Sequence, residues 1–373
     1  MATSGPGERE SAIDALRGLC LLGIAIVNAP WIGAGASLPL QLGLHFEGQT
    51  QLPLPDLVVA IGVEWLCEGK FYPQFGALFG FGAAVLMARG GGIYARRIAV
   101  LFVLGILHSI FGWWGDILLN YAVLGVLLAL FWKAPPRVLL GVSIAAYLGA
   151  TVVSLVFDHW FDPVGDQLAE GLTHAAHDTA LYGHGTFADI TAARTAEMFA
   201  FFSQYNWSYR LDTVAMGFFG LFVRRTGFLS DLRAKRRTLG FIALGCLLVG
   251  LPCAAVPQLY IPAGDVLAIG YSSSFLWLAA RGSVDGVVEA LAPIGRMAIT
   301  CYLGQTLAFT LFFYSYGLGM YGQISAWQCF ALALSVWAIE VAFSYVWLSR
   351  FALGPVEWLW RSITYLRLLP MRR

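Results

Sequence analysis

The sequence predicts an all-α fold: a polytopic integral membrane helical bundle of about 10 transmembrane helices, with both termini cytoplasmic. Three observations carry that prediction. Hydrophobic residues make up 58% of the 373 residues and charged residues only 12%, about half the charged share of an ordinary soluble domain. Apolar runs long enough to cross a bilayer recur through the whole chain. Lys and Arg collect in alternate connections between those runs, as the positive-inside rule requires.

The runs fall near 13–33, 71–88, 98–115, 117–133, 138–157, 208–223, 238–258, 264–280, 290–313 and 326–349. The first carries Asp14 and Arg17 and is followed by no small-residue cleavage site, so it reads as a permanent span and not a signal peptide. The apolar segment 54–68 contains Glu64 and Glu68 and reads as an interfacial helix or a short extra span. One set of connections holds Arg89, Arg96, Arg97, Lys133, Arg137, Arg224, Arg225, the Arg233–Arg237 cluster and Arg281, and the tail adds Arg350, Arg361, Arg367, Arg372 and Arg373. The other set has little beyond Lys70, Arg194 and Arg210. The chain therefore divides into a cytoplasmic lead (1–12), an N-terminal transmembrane half (13–157), an extracytoplasmic loop or cap (158–207), a C-terminal transmembrane half (208–350) and an amphipathic basic tail (351–373).

A net charge of +1 gives no reason to expect nucleic acid. The six cysteines are scattered, with no CxxC pair, and read as small core residues. In the long loop, His174 and His177 next to Asp178 have a spacing that could grip a metal, but a solvated, partly helical cap is the expectation and no metal site is assigned.

Polar groups at membrane depth are costly and usually functional. In the first run Asp14, Arg17, Leu21, Ile24 and Asn28 share one helical stripe, with an i, i+3 ion pair expected between Asp14 and Arg17. Asn28 either clamps another helix or lines a site. His108 is the one histidine well inside an apolar run, and imidazole can act as a base near neutral pH. Asp116 follows eight residues on, about 12 Å along a straight helix, so a direct His108–Asp116 pair needs the bend that Gly112 and Gly115 offer. Arg296 opens the ninth run, where its guanidinium either forks onto a phosphate or snorkels to the interface. Lys70 is placed to meet Glu68, Asp116 or a substrate; Gln74, Tyr302 and Gln305 complete the candidate substrate-binding set. No GxxxxGK loop is present, which argues against an ATP-driven pump.

Several of these segments together resemble a bacterial family, the YeiB-like membrane proteins, whose C-terminal half is catalogued as domain of unknown function 418. They are Ile13-Asp14-Ala15-Leu16-Arg17-Gly18 with Gly23 and Asn28; Lys70-Phe71 through Phe79-Gly80; His108 to Gly125; Gly295-Arg296-Met297-Ala298 with Tyr302 and Gln305; Tyr316-Gly317-Leu318-Gly319; and Gly354 to Arg361 with Thr364-Tyr365. The opening motif is also similar to that of heparan-α-glucosaminide N-acetyltransferases and, more distantly, of membrane acyltransferases that decorate surface sugars. The resemblance implies a multi-pass protein of the bacterial inner (plasma) membrane. It further implies that an acyl group passes from cytoplasmic acyl-CoA, acetyl-CoA among the candidates, to a hydroxyl or amine acceptor. No tightly bound cofactor is implied.

On that reading His108 is the base, Asp116 orients it or binds the acceptor, and Asn28 lines the transfer site as an oxyanion donor. Direct transfer and an acyl-histidine route both fit these residues. The lysosomal acetyltransferases have an essential histidine shortly after the asparagine; His45 is the nearest here, at a different spacing. The alternative is a transporter or exporter of a small or amphiphilic molecule that uses intramembrane His, Asp and Arg. Expected partners are the lipid bilayer, the acyl-CoA donor and a small-molecule, glycan or lipid acceptor, with a homodimer as an option.

Overall fold

A computed structural model describes residues 6–34, 53–158, 176–203, 207–256 and 259–372. His45, His159 and His174 lie outside the described residues, so the expected grouping of His174 with His177 and Asp178 does too. The described residues are helical throughout, apart from one isolated bridge between Phe351 and Arg372.

The first helix, α1 (Pro6–Ala34), runs through Asp14, Arg17 and Asn28. It is followed by α2 (Leu54–Leu66), whose 13 residues reach only about 20 Å, too short to span a bilayer. Then come α3 (Phe71–Met87), α4 (Gly91–Phe111), α5 (Leu118–Leu130) and α6 (Pro136–Val153). In the loop expected to be a cap, 176–184 is helical and α7 spans Phe187–Ser203. Thr186 and Asp189 exchange hydrogen bonds at its start (Thr186 N to Asp189 Oδ2, 3.0 Å), holding the exposed Asp189 carboxyl below the usual range.

The C-terminal half comprises α8 (Trp207–Arg225), α9 (Leu232–Ala254), α10 (Tyr260–Ala280), α11 (Asp285–Arg296), α12 (Ala298–Phe313), α13 (Ala326–Arg350) and α14 (Pro355–Tyr365). Their ends follow from local chemistry. Asp231 caps α9 by accepting from Ala234 N at 3.1 Å, and Ser325 with Gln328 forms a capping box on α13. Pro355 opens α14 directly after Gly354, and Leu366 ends it in the left-handed conformation (φ 53°).

A helix occupies every one of the predicted runs, but the ninth is not continuous. Around Met297 the chain turns by 78° between α11 and α12. The hydrogen bonds mark the break: the Met297 N–H bonds to Ile294 O and closes α11, while the first N–H groups of α12 are satisfied from outside that helix, by Glu357. Among the described residues, five helices are long and apolar enough to cross a membrane singly, or six counting the bent pair. Large apolar side chains face outward along them, among them Phe241 (75% exposed), Leu248 (67%) and Ile339 (68%). So much outward apolar surface fits lipid and not water, which makes this a membrane protein.

Polar residues turn inward. The bundle centres on α1, which packs against α3, α10, α11, α12 and α13. The α1–α11 contact is closest: a Cβ on Gly295 would stand 1.7 Å from the Asp14 carbonyl oxygen, so only glycine lets these two backbones touch.

Candidate functional site

The chain leaves α4 at Phe111 and re-enters helix at Leu118, and the bend between them brings residues eight apart together. His108 Nδ1 lies 2.7 Å from Asp116 Oδ1. Both side chains are buried, Asp116 completely. Gly112 makes the fold-back fit, because a Cβ there would meet His108 Cδ2 and its carbonyl oxygen at 2.8 Å. We expect Gly112→Ala to cost about 1–3 kcal/mol of stability through overpacking and to separate the pair, read as a lower thermal midpoint in detergent.

Asp116 is held on every side. Its Oδ2 accepts from Leu119 N at 2.7 Å, at the positive end of α5. Tyr302 from α12 places its hydroxyl 3.4 Å from Oδ1 and accepts from Ile117 N at 3.3 Å. The Tyr302 ring also tilts over the His108 ring, with centroids 5.1 Å apart. With Nδ1 engaged by the carboxylate, His108 Nε2 is the free nitrogen, and it has no hydrogen-bond partner among the described residues. This is a buried histidine oriented by a carboxylate, the arrangement a general base requires.

The bend itself is braced from α7. Arg194 of α7 is fully buried and donates from Nη1 to Phe111 O at 2.8 Å and to Gly112 O. Its guanidinium lies over the Tyr314 ring at 5.5 Å. In the sequence Arg194 reads only as a charge of the outer side; an arginine in a predicted soluble loop gives no sign that it is buried.

Beside α5 lies a cavity of about 570 Å³ lined by Leu118 and Tyr121 together with a group of arginines. Arg17, Arg89, Arg97, Arg224, Arg296 and Arg361 line it, with Glu10, Asp14 and Glu357 as its carboxyl groups. Two of those acids are committed: Arg17 donates to Asp14, the predicted i, i+3 pair, and Glu357 serves α12. Glu357 Oε1 accepts from Ile299 N (2.8 Å) and Thr300 N (3.1 Å), and Oε2 from the Thr300 hydroxyl (2.5 Å). It thus caps the helix that restarts after the break. Helix α14 is also strapped to α4, with Trp360 Nε1 donating to Arg97 O (2.9 Å), the Arg97 guanidinium 3.6 Å above the Trp360 ring, and Arg96 Nε on Thr364 O (2.7 Å). Burial pulls the Arg361 guanidinium below its ordinary range, Glu357 opposes that, and the Arg89 and Arg296 charges add to it. A bound anion would relieve that crowding of like charge.

A second cavity, of about 880 Å³, lies beside the far end of α1, lined by Trp31, Glu64, Trp65, Glu68 and Tyr260 among apolar residues of α1, α2 and α13. Trp31 Nε1 donates to Glu68 Oε1 at 3.2 Å.

Of the predicted site residues, the structure joins His108, Asp116 and Tyr302 in one cluster and puts Asp14, Arg17 and Arg296 on one cavity. The others sit apart. Lys70 is buried below the second cavity, donating to Glu64 O (3.0 Å) with its ammonium 4.0 Å from the Tyr260 ring. Gln74 donates to the Ser272 hydroxyl at 2.8 Å. Gln305 reaches Glu340 Oε2 (2.8 Å) and Leu21 O (3.3 Å), clamping α12 to α13 and α1. Asn28 is half-buried and lines neither cavity. His177 is exposed, 3.4 Å from Asp178, and among the described residues no three potential metal ligands cluster.

The chain is similar to known proteins along nearly its whole length. The family model described as protein of unknown function (DUF418) matches residues 223–367, the half that holds the broken α11–α12 pair and α14. The uncharacterized protein YxaH of Bacillus subtilis is 29% identical over 98% of this chain and 96% of its own length. An uncharacterized 39.9 kDa protein from the amylase 3' region of Bacillus acidopullulyticus is 27% identical, covering 98% of this chain and 96% of that protein. The uncharacterized protein YeiB of Escherichia coli is 31% identical over 96% of both chains. At that identity along nearly its whole length, the chain belongs to the YeiB-like family of DUF418 membrane proteins.

Proposed function

We propose that the protein is a membrane-embedded acyltransferase that moves an acyl group from cytoplasmic acyl-CoA to a hydroxyl or amine acceptor. The observation that carries this reading is the arginine-lined cavity running inward to Leu118, two residues from the buried His108–Asp116 pair. A donor with a phosphate-rich head and an acyl-bearing arm matches a cavity lined by both arginines and apolar side chains.

In this scheme the donor phosphates meet Arg17, Arg89, Arg296 and Arg361. His108 Nε2 takes the acceptor proton as the acceptor oxygen or nitrogen bonds to the thioester carbonyl carbon. The C–S bond then breaks and the departing thiolate recovers the proton from His108. Asp116 offsets the charge on the imidazolium and holds its tautomer. Asn28 lines neither cavity and takes no part in this scheme.

The proposed frame is ten crossings of a bacterial inner membrane with both termini cytoplasmic. It is supported by the meeting of Arg89, Arg97, Arg224 and Arg361, basic residues that the positive-inside pattern assigns to one side, around a single cavity. A second reading, transport of an amphiphile, draws on the other cavity beside the opposite end of α1.

The test is thermal shift of the purified protein with acetyl-CoA and palmitoyl-CoA. Saturating donor at a hundred times its Kd should add about 2.7 kcal/mol of apparent stability. Arg296→Gln should weaken donor binding roughly tenfold, about 1.4 kcal/mol, and leave acceptor affinity unchanged. If no acyl-CoA stabilises the protein, and amphiphile flux into vesicles is measurable, transport replaces transfer.

A further inference from the structure

Asp212 of α8 and Asp265 of α10 are 1% and 3% exposed, and neither takes part in the site above. Their side chains stand within hydrogen-bonding reach of each other. On one side, the Tyr72 hydroxyl of α3 donates to Asp212 Oδ2 at 2.5 Å. On the other, Asp212 Oδ1 and both oxygens of Asp265 have no donor among the described residues. Asp265 is therefore an unpartnered, almost fully buried carboxyl group aimed into the Tyr72–Asp212 pair from a different helix.

The groups facing the two carboxyls are all phenols: Tyr72 from α3, Tyr209 from α8 and Tyr147 from α6, whose own hydroxyl donates to Pro262 O at 3.2 Å. No ammonium or guanidinium of the described residues acts on either carboxyl. Arg210, two residues before Asp212, instead directs Nη2 to Phe201 O (2.9 Å) and its guanidinium toward the Trp207 ring.

Two carboxylates side by side in an apolar interior without a counter-charge cannot both stay ionised. One proton between them removes the repulsion and supplies the missing donor in a single step. Among the described residues no third His, Cys, Asp or Glu joins the two carboxyls to make up a metal-binding group.

We propose that Asp212 and Asp265 share one exchangeable proton and form a proton-binding site within the membrane, separate from His108–Asp116. The direction of the Tyr72 hydrogen bond assigns Asp212 as the acceptor, so Asp265 carries the proton and donates it to Asp212 Oδ1. Release of that proton leaves two negative charges between α8 and α10 and drives the helices apart. The site does not depend on the acyl-transfer reading.

The test uses dicyclohexylcarbodiimide, an apolar reagent that modifies a carboxylic acid only while it is protonated. The acid O–H adds across a C=N bond of the reagent, its proton passing to nitrogen, and the adduct rearranges to a stable acylurea. Purified protein in detergent is treated across a pH series and the adduct mapped by peptide mass spectrometry. The expected result is an adduct on Asp265 near neutral pH that is lost as pH rises, is unaffected by sodium, and is absent from Asp265→Asn. That substitution keeps shape and replaces the shared proton with an amide donor, so the variant should stay folded. If it does not fold, the pH series on the unaltered protein still decides. No adduct on either aspartate at any pH, or an adduct that sodium prevents, overturns the proposal: the first leaves no bound proton, the second makes the pair a cation site.

Discussion

Asp116→Asn is expected to abolish most turnover while leaving the bundle folded. The asparagine carbonyl can replace Asp116 Oδ2 as acceptor from Leu119 N, so the start of α5 is kept. What is lost is the charge opposite His108 Nδ1: an amide cannot offset the imidazolium, and it favours the wrong tautomer. In proteases that rely on a carboxylate-oriented histidine, that change costs about 10⁴ in rate. His108→Ala removes the base itself and should cost about 10²–10⁴. Both are read as thioester consumption, with size-exclusion and thermal profiles as controls for folding. Unchanged turnover in folded Asp116→Asn protein would remove the pair from the chemistry and make it a structural hydrogen bond.

Arg194→Ala is expected to cause the largest loss of stability among single changes outside the apolar core. It strands the carbonyls of Phe111 and Gly112, which Arg194 satisfies, and empties the space over Tyr314. Hydrogen bonds to a charged group contribute about 1.5–3 kcal/mol each, so the combined cost is roughly 3–5 kcal/mol, visible as a large drop in thermal midpoint. Because the same carbonyls shape the turn between His108 and Asp116, activity should fall with it. A variant within about 0.5 kcal/mol of the unaltered protein, the range of ordinary surface changes, would show that the turn holds itself.

How much of this was legible in the sequence depends on the range over which each feature is written. Apolar runs are local, so the helices at the predicted positions were readable, and so was the Asp14–Arg17 pair at i, i+3. The His108–Asp116 contact was readable only as a condition on the bend, because spacing in a broken helix does not state direction. The break at Met297 was hidden: apolar residues run on through 290–313, and a single internal proline is common in membrane helices. Pairings between distant helices leave no periodic trace. Asp212 and Asp265 each look like one stray acid in an apolar run, and only the packing of α8 on α10 makes them a pair. Glu357 reads as part of an amphipathic tail until it is seen capping a helix that starts 59 residues earlier.

Glycine at 295 has a consequence for time. The groove on α1 that receives α11 is translated well before α11, which begins at Asp285. At 5–20 residues per second, synthesis of the intervening chain takes on the order of ten to fifty seconds. Through that interval the backbone surface around Asp14 and Gly18 lacks its native neighbour, and the Leu21 carbonyl waits for Gln305. Helix α1 is thus made well before its partner α11 and is among the last to be finished. A bulky residue at 295 would then be felt by the nascent chain at the end of assembly, as failure to close a bundle already in place.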